Sequence, residues 1–346
     1  MLNIGIVGTG IFARDKHLPV LKELSDKFKA TAAYNRTKSK AIDFANEAGI
    51  AEEKVYSRYE DLINDEDIDC IDMLVPAQYN AELVKMAVDV GKPMIFEKPI
   101  AAQLDQAREI VKITDNTSVP IAVAENWLFL KTADAVRSKL ERIGEVAGFT
   151  YNSTGPFVTS SKYLSTGWRR NPEHIGGYLS DGGVHQLALL TGVLGEVDSV
   201  SALTRQLRQE SGDDDIVFST IKLKSGAIGT YTYGSAFGST NKWVFMKIYG
   251  TNGSITVDLS KRGNVSLKLT VGDCAEAAAE EEEFTIEEDS SYGVKEEFEN
   301  FYEAVTKKDK SIIKGTPRTT FHHLAVVSAL LNSASQNGSS VEVEMP

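Results

Sequence analysis

Three short runs carry residues whose types and spacing suit chemistry. Gly8-Thr9-Gly10-Ile11-Phe12-Ala13 follows the apolar run Leu2 to Val7. In such a turn the first glycine permits the tight bend and the second lets backbone approach a pyrophosphate. The alanine then keeps the following helix close to the sheet, and the helix start adds amide donors and a partial positive charge. Glu97-Lys98-Pro99 follows the apolar run Pro93 to Phe96, and Asp181-Gly182-Gly183-Val184-His185 sets a carboxylate and an imidazole four residues apart. That spacing puts Asp181 and His185 on one face of a helix. An imidazole with its ordinary pKa near 6.5 exchanges a proton around neutral pH.

The elements needed to place these groups can be read from the hydrophobic pattern. Up to about Glu125, short apolar runs alternate with helix-like segments, as in βα units around a parallel sheet. Strands are expected at Leu2 to Val7, Lys29 to Tyr34, Ile68 to Val75, Pro93 to Phe96 and Pro120 to Ala124. Helices are expected at Ala13 to Phe28, Lys38 to Ala48, Asn80 to Val90 and Leu104 to Asn116. Beyond Glu125, alternating runs at Ile216 to Leu223, Ala227 to Tyr233, Trp243 to Tyr249 and Ser254 to Leu259 are separated by turn signals such as Lys224-Ser225-Gly226, the pattern of an antiparallel sheet. Helices are expected at Gly182 to Leu194, Lys295 to Lys307 and Thr319 to Ser335. The fold class is therefore α/β, a dinucleotide-binding domain over 1–125 followed by an α+β domain over 126–346. Glu97-Lys98-Pro99 falls at the carboxyl edge of the first sheet, where ligands bind in open α/β folds.

The end of the second strand bears on which dinucleotide is bound. An Asp or Glu about 20 residues past the glycines usually binds the ribose hydroxyls of NAD. Here Asn35 stands in that place, followed by Arg36 and Thr37, with Lys38 and Lys40 close behind. The carboxylate that would repel a 2′-phosphate is absent, and a guanidinium that can pair with it is present. NADP (NADPH) is the expected cofactor, with Arg36 as its phosphate partner; Lys38 and Lys40 read equally as an exposed helix face.

Taken in order, Gly8 to Ala13, His17-Leu18-Pro19, Glu97-Lys98-Pro99, Trp168-Arg169 and Asp181 to His185 resemble the Gfo/Idh/MocA family of oxidoreductases (glucose-fructose oxidoreductase and inositol dehydrogenase-like) over nearly the whole chain. The similarity is greatest to fungal NADP-dependent members. The resemblance implies an N-terminal Rossmann domain and a C-terminal domain with a large, mostly antiparallel open sheet that often forms an oligomer interface, a dimer here. It implies that Lys98, Asp181 and His185 are catalytic, and that Pro76, Asn80, Glu97 and Asn126 line the cofactor. Trp168, Arg169 and Tyr292 would lie close to the nicotinamide or substrate. One departure is Asn35, which replaces the acidic residue of many NAD-using relatives. Carbonyl reduction needs hydride on carbon and a proton on oxygen, so His185 is the expected proton donor and Lys98 the stabiliser of charge developing on the oxygen. Asp181 orients the imidazole or binds a hydroxyl. The expected function is an NADP-dependent oxidoreductase for a carbonyl or hydroxyl of a sugar, polyol or small aldehyde or ketone. The alternative is an NADP-binding regulatory sensor of the same fold acting through protein contacts without turnover.

Composition narrows the partners. The 346 residues have 42% hydrophobic and 25% charged side chains, the make-up of a globular protein. A formal charge of -12 opposes binding to nucleic acid or anionic lipid. No apolar stretch reaches the roughly 20 residues of a membrane span. Two distant cysteines, Cys70 and Cys274, suit neither a disulfide framework nor a thiolate metal site, so no metal is expected and a cytoplasmic location is. The acidic runs Glu280 to Glu283 and Asp213 to Asp215 read as solvated loops or strand edges. His17 reads as a packing or capping residue, and His174, His322 and His323 as structural.

Overall fold

The computed structural model describes residues 1–162, 172–275 and 279–346, so the predicted site residues Trp168 and Arg169 lie outside the described residues. The chain divides into two compact units: Met1–Asn126 with Gly293–Phe321 and Pro346, and Trp127–Tyr292 with His322–Met345.

The first unit is built on a six-stranded sheet of order β3-β2-β1-β4-β5-β6. Its strands are β1 (Leu2–Val7), β2 (Phe28–Tyr34), β3 (Val55–Tyr56), β4 (Cys70–Met73), β5 (Met94–Glu97) and β6 (Ile121–Ala124). Every pairing is parallel. Helices α1 (Leu18–Glu23), α2 (Lys38–Ala48), α3 (Tyr59–Ile63), α4 (Asn80–Asp89) and α5 (Leu104–Asp115) lie between the strands in sequence. The strand order reverses at β1, between β2 and β4, which is the topological switch point where open α/β sheets bind ligands. In place of the continuous helix expected over Ala13 to Phe28, a wide π-helical turn over Ala13–His17 precedes a six-residue α1.

The second unit contains α6 (Lys131–Arg137), α7 (Gly177–Leu194) and a nine-stranded sheet of order β14-β13-β12-β11-β7-β10-β9-β8-β15. Its strands are β7 (Val146–Pro156), β8 (Val197–Arg205), β9 (Ile216–Leu223), β10 (Ile228–Phe237), β11 (Trp243–Gly250), β12 (Gly253–Asp258), β13 (Asn264–Val271), β14 (Glu280–Glu287) and β15 (Val341–Glu342). All pair antiparallel except β7 with β10. Period-two alternation sends Val217, Ile221 and Leu223 inward and Phe218, Thr220 and Lys222 outward. The outward face carries Leu203 (62% exposed), Phe218 (53%), Ile228 (64%) and Trp243 (54%), with Leu203 and Phe218 directly paired.

After Tyr292 the chain returns to the first unit with α8 (Val294–Lys307), and α9 (Pro317–Ser335) continues from the first unit into the second. In this division residues 293–321 group with the first unit and the rest of 127–345 with the second. The apolar stripe of α8, with Phe298, Phe301 and Ala304, is buried in one cluster with Ile4, Ile6 and Phe28 of the parallel sheet. Each such aromatic contributes about 1.5–3 kcal/mol by burial.

The acidic run Glu280 to Glu283 does form an edge strand, where Glu281 pairs with Lys268 and Glu282 with Arg142. Asp215 departs from the expected solvated cluster. It is fully buried and accepts from the Leu207 and Arg208 amides and the Ser211 hydroxyl, at 2.7, 2.8 and 2.9 Å, which replaces the water it gives up. Among the described residues no helix is long and apolar enough to cross a membrane, and no group of three or more His, Cys, Asp or Glu side chains is arranged to hold a metal ion.

The turn after β1 separates its two glycines. Gly8 has φ +94°, and a Cβ there would overlap the Leu74 carbonyl. A Cβ on Gly10 would meet nothing within 4 Å. Gly8→Ala should therefore lower stability by more than the roughly 1–2 kcal/mol of a left-handed residue, whereas Gly10→Ala should change it by no more than about 0.5 kcal/mol. Urea unfolding of the two variants checks this; equal losses would contradict the distinction.

Candidate functional site

The first unit brings the predicted nucleotide residues to the ends of β1, β2, β4 and β5 and, for Asn126, to the turn after β6. The Gly8 amide donates to the Tyr34 carbonyl at 2.9 Å, and the Leu74 amide donates to the Val7 carbonyl at 2.6 Å, so three strand ends are tied at this edge. Asn35 follows β2. Its Nδ2 donates to the Thr9 hydroxyl at 3.1 Å, and its Oδ1 accepts from the Thr37 amide at 2.9 Å. Asn35 thus joins the glycine turn to the start of α2. Arg36, Lys38 and Lys40 are exposed, and among the described residues none of the three is in an ion pair. The bare, exposed Gly10 beside Thr9 is a cradle that no internal packing requires, and it fits a backbone-hugging pyrophosphate.

At the next strand ends the picture is more mixed. Pro76 precedes a short 3₁₀ turn, Ala77–Tyr79. Asn80, at the head of α4, is buried, and its amide donates to the Pro99 and Ile100 carbonyls at 3.3 and 3.1 Å. It therefore braces the Glu97-Lys98-Pro99 turn, whose Lys98–Pro99 peptide is cis. Glu97 ends β5 and its Oε1 lies 3.1 Å from Nε2 of His17. The other ring nitrogen of His17, Nδ1, lies 2.9 and 3.0 Å from the two carboxylate oxygens of Asp72. With a carboxylate at each ring nitrogen, both nitrogens need a hydrogen, which only the imidazolium has. Burial opposes that charge, but Asp72 and then Glu97 outweigh it and hold the His17 pKa well above its ordinary value. Glu297 of α8 and Glu125 after β6 are buried in the same group. Burial, and then Glu97, pushes the Glu297 carboxyl well above the usual range. His17 is more than the packing residue its position in the first helix suggests.

In the second unit α7 starts at Gly177, not Gly182, so Asp181 and His185 sit inside the helix rather than at its mouth. Asp181, Gly182 and His185 are partly exposed while Gly183, Val184 and Gln186 are buried, which places the acid and the imidazole on one strip as their spacing requires. Phenols set this rotation. The Tyr233 hydroxyl occupies the space a Cβ on Gly182 would need. The Tyr231 hydroxyl donates to the Gly183 carbonyl at 3.3 Å, and the Tyr151 hydroxyl donates to Gln186 Oε1 at 2.8 Å.

His185 stacks on Trp127, with centroids 5.7 Å apart and planes 18° from parallel. Trp127 meets Tyr292 edge-on at 5.6 Å. Tyr292 takes the left-handed φ of 57° in a turn closed by Asp289, whose Oδ1 accepts the Ser291 and Tyr292 amides. The Arg262 guanidinium lies over its ring at 4.8 Å. Burial, with Glu288 adding and Arg262 opposing, pushes the Tyr292 phenol up to about 12, so it remains a proton-bearing donor at neutral pH.

Trp127 and Arg262 were not foreseen from the sequence. Trp127 directly follows Asn126, and that adjacency is the one sequence signal for it; Arg262 lies in the Lys261-Arg262-Gly263 turn, which carries none. Lys98 and the nucleotide residues belong to the first unit, and Asp181, His185 and Tyr292 to the second. The other histidines have structural partners: His174 Nε2 with the Gly177 carbonyl, His322 Nε2 accepting the Val197 amide, and His323 with Thr191.

Residues 2–125 match the family model described as oxidoreductase family, NAD-binding Rossmann fold, and residues 137–343 match its C-terminal alpha/beta domain. An uncharacterized protein of Saccharomyces cerevisiae is 58% identical over 346 residues, covering 100% of this chain and 99% of its own. A dehydrogenase of Fusarium mangiferae is 29% identical, with 98% of each chain covered. Among solved structures, an oxidoreductase from Thermotoga maritima superposes with a TM-score of 0.86 at 30% identity, covering 99% of this chain and 98% of that one. Levoglucosan dehydrogenase in complex with NADH and levoglucosan gives 0.84 at 20% identity with 99% of each chain covered, a likeness of fold. With both family models matched across most of its length, the chain belongs to the Gfo/Idh/MocA oxidoreductase family.

Proposed function

We propose that the protein is an NADP(H)-dependent oxidoreductase that interconverts a hydroxyl and a carbonyl on a sugar, polyol or small aldehyde or ketone. The observation that carries the nucleotide part is Gly10, kept bare on an exposed turn where the fold would accept a side chain. The preference for NADP is supported by the exposed Arg36 guanidinium beside an uncharged Asn35. A 2′-phosphate there would gain a charge-assisted, bidentate partner and meet no repelling carboxylate. A sugar-like substrate is supported by relatives such as the D-apiose dehydrogenase of Rhizobium rhizogenes, 27% identical with 62% of each chain covered.

When bound, the nicotinamide nucleotide supplies or accepts the hydride. His185 gives a proton to the substrate oxygen during reduction and removes it during oxidation. Stacking on Trp127 fixes the plane of its ring, which leaves the ring nitrogens to act along that plane. Lys98 stabilises negative charge that develops during the reaction, and Asp181, one helical turn before His185, orients the imidazole or binds a substrate hydroxyl. Tyr292, whose phenol keeps its proton, offers a further donor. The predicted contacts of Trp168 and Arg169 belong to the same reading. Two copies of the chain meet on the open face of the nine-stranded sheet, where Leu203, Phe218, Ile228 and Trp243 would otherwise stay in water.

Three measurements test these statements. His185→Ala should lower kcat about 10²–10⁴-fold and Lys98→Met about 10²–10³-fold, assayed with NADP(H) against a panel of aldoses, ketoses, polyols and small aldehydes. Normal turnover in both would sink the assignment, and NADPH binding without turnover of any compound would favour the sensor. Arg36→Ala should weaken NADPH about tenfold to a hundredfold and leave NADH nearly unchanged by calorimetry, whereas Gly10→Ala should weaken both; equal loss of both nucleotides with Arg36→Ala contradicts the phosphate role. Phe218→Glu should convert a sedimenting dimer to monomer, and a wild type that sediments as a monomer removes the dimer.

A further inference from the structure

Two turns of the first unit converge on one buried imidazole. The ring of His17 meets Phe12 of the glycine turn edge-on at 5.3 Å and Phe298 of α8 at 5.1 Å. Its nitrogens are taken by Asp72 and Glu97. Asp72 is a rigid anchor because it lies within β4, is fully buried, and is paired to β1 at Ile6 and to β5 at Ile95. Glu97 is the residue before Lys98. Asn80 holds the carbonyls of Pro99 and Ile100 on the other side of that lysine. The backbone on both sides of Lys98 is therefore fixed, on one side through the His17 ring.

We propose that His17 is a positioning residue for Lys98: anchored on Asp72, its imidazole fixes the Glu97 carboxylate and so the turn on which the lysine is mounted. The proposal rests on the reading of Lys98 as a catalytic group. Packing alone does not explain the arrangement. A buried ion pair adds little net stability over an apolar isostere of the same shape, and this position is already walled by Phe12 and Phe298. What an apolar side chain would lack is the directed pair of hydrogen bonds that joins β4 to the end of β5. The groups that face the imidazole are Asp72 from β4 and Glu97 from β5, with Glu297 from α8 and Glu125 beyond β6 in the surrounding field. Burial disfavours the imidazolium, and the carboxylates more than offset it.

The test compares wild type, Lys98→Met, His17→Gln, Glu97→Leu and the His17→Gln/Glu97→Leu pair in the turnover panel, with NADPH affinity read separately by fluorescence. His17→Gln should lower kcat about 100-fold, the effect of a misplacement on the order of 1 Å, while the affinity for NADPH changes little. The pair should be no worse than Glu97→Leu alone, because both act through one contact. In the wild type, the imidazole ¹⁵N signals of His17, assigned among five histidines by their loss in His17→Gln, should remain those of an imidazolium above neutral pH. Loss of kcat in Lys98→Met with normal kcat in folded His17→Gln overturns the positioning role, as does a neutral His17 above neutral pH. Normal kcat in Lys98→Met instead overturns the catalytic reading of the lysine itself. If His17→Gln does not fold, Glu97→Leu, which removes the accepting oxygens, decides the kcat arm, and a normal kcat there overturns the proposal.

Discussion

A carboxylate at each nitrogen of a buried imidazole is the interaction on which the working edge of the parallel sheet depends. Asp72 lies fully buried inside β4; burial pushes its carboxyl up, and His17 is what opposes that shift. Removing one member of such a pair leaves the other uncompensated, at a cost of about 3–5 kcal/mol. The interaction therefore constrains more than itself. His17 must stay at the end of the wide turn Ala13–His17. Glu97 must reach back from the end of β5. Burial, with Glu97 adding, pushes the Glu297 carboxyl up in the same crowd of carboxylates.

The second unit solves the corresponding problem without charge. Helix α7 is apolar around most of its circumference, so burial alone would leave its rotation poorly specified. The phenols of Tyr151, Tyr231 and Tyr233 supply the direction that burial lacks. A buried hydroxyl without a partner is costly, and the Tyr151 and Tyr231 hydroxyls find theirs on this helix, at the side chain of Gln186 and the backbone of Gly183. Gly182 is what allows the third, Tyr233, to come so close. With that side fixed, Asp181 and His185 are left on the partly exposed strip. In both units a polar anchor embedded in apolar packing aims the side chains that matter.

This division explains what could be read in advance. Periodicity and turn residues are local, and Lys38–Ala48 and Ile216–Leu223 follow them to the residue. The glycine turn and the Asp181–His185 spacing are local as well. Long-range effects escaped. The start of α7 at Gly177 rests on a left-handed Gly176, which the run Gly177-Tyr178-Leu179-Ser180 does not advertise. The return of α8 to the first core is decided by Phe298 and Phe301 finding Phe28 and Ile4, contacts separated by most of the chain. Asp215 appeared as one of three adjacent acids, yet it is buried by amides and a hydroxyl that only the folded loop brings to it. Trp127 against His185, and His17 between Asp72 and Glu97, are likewise pairings of residues far apart in sequence.

Residues that the fold does not need are the sharpest pointers to a ligand, and the nucleotide edge separates the two kinds. Gly8 is explained by the protein itself, since its φ and the Leu74 carbonyl exclude any side chain. Gly10 is not, because space is open where its Cβ would be. Asn35 is subtler. It accepts from the Thr37 amide and donates to the Thr9 hydroxyl, and an aspartate could keep the first bond and take the Thr9 hydroxyl proton for the second. The fold would therefore accept either residue, and the difference between them is one negative charge at an exposed edge. Arg36 follows, exposed and in no ion pair among the described residues. At this edge the internal contacts leave the charge at position 35 open, so the geometry of the turn alone does not account for the amide there.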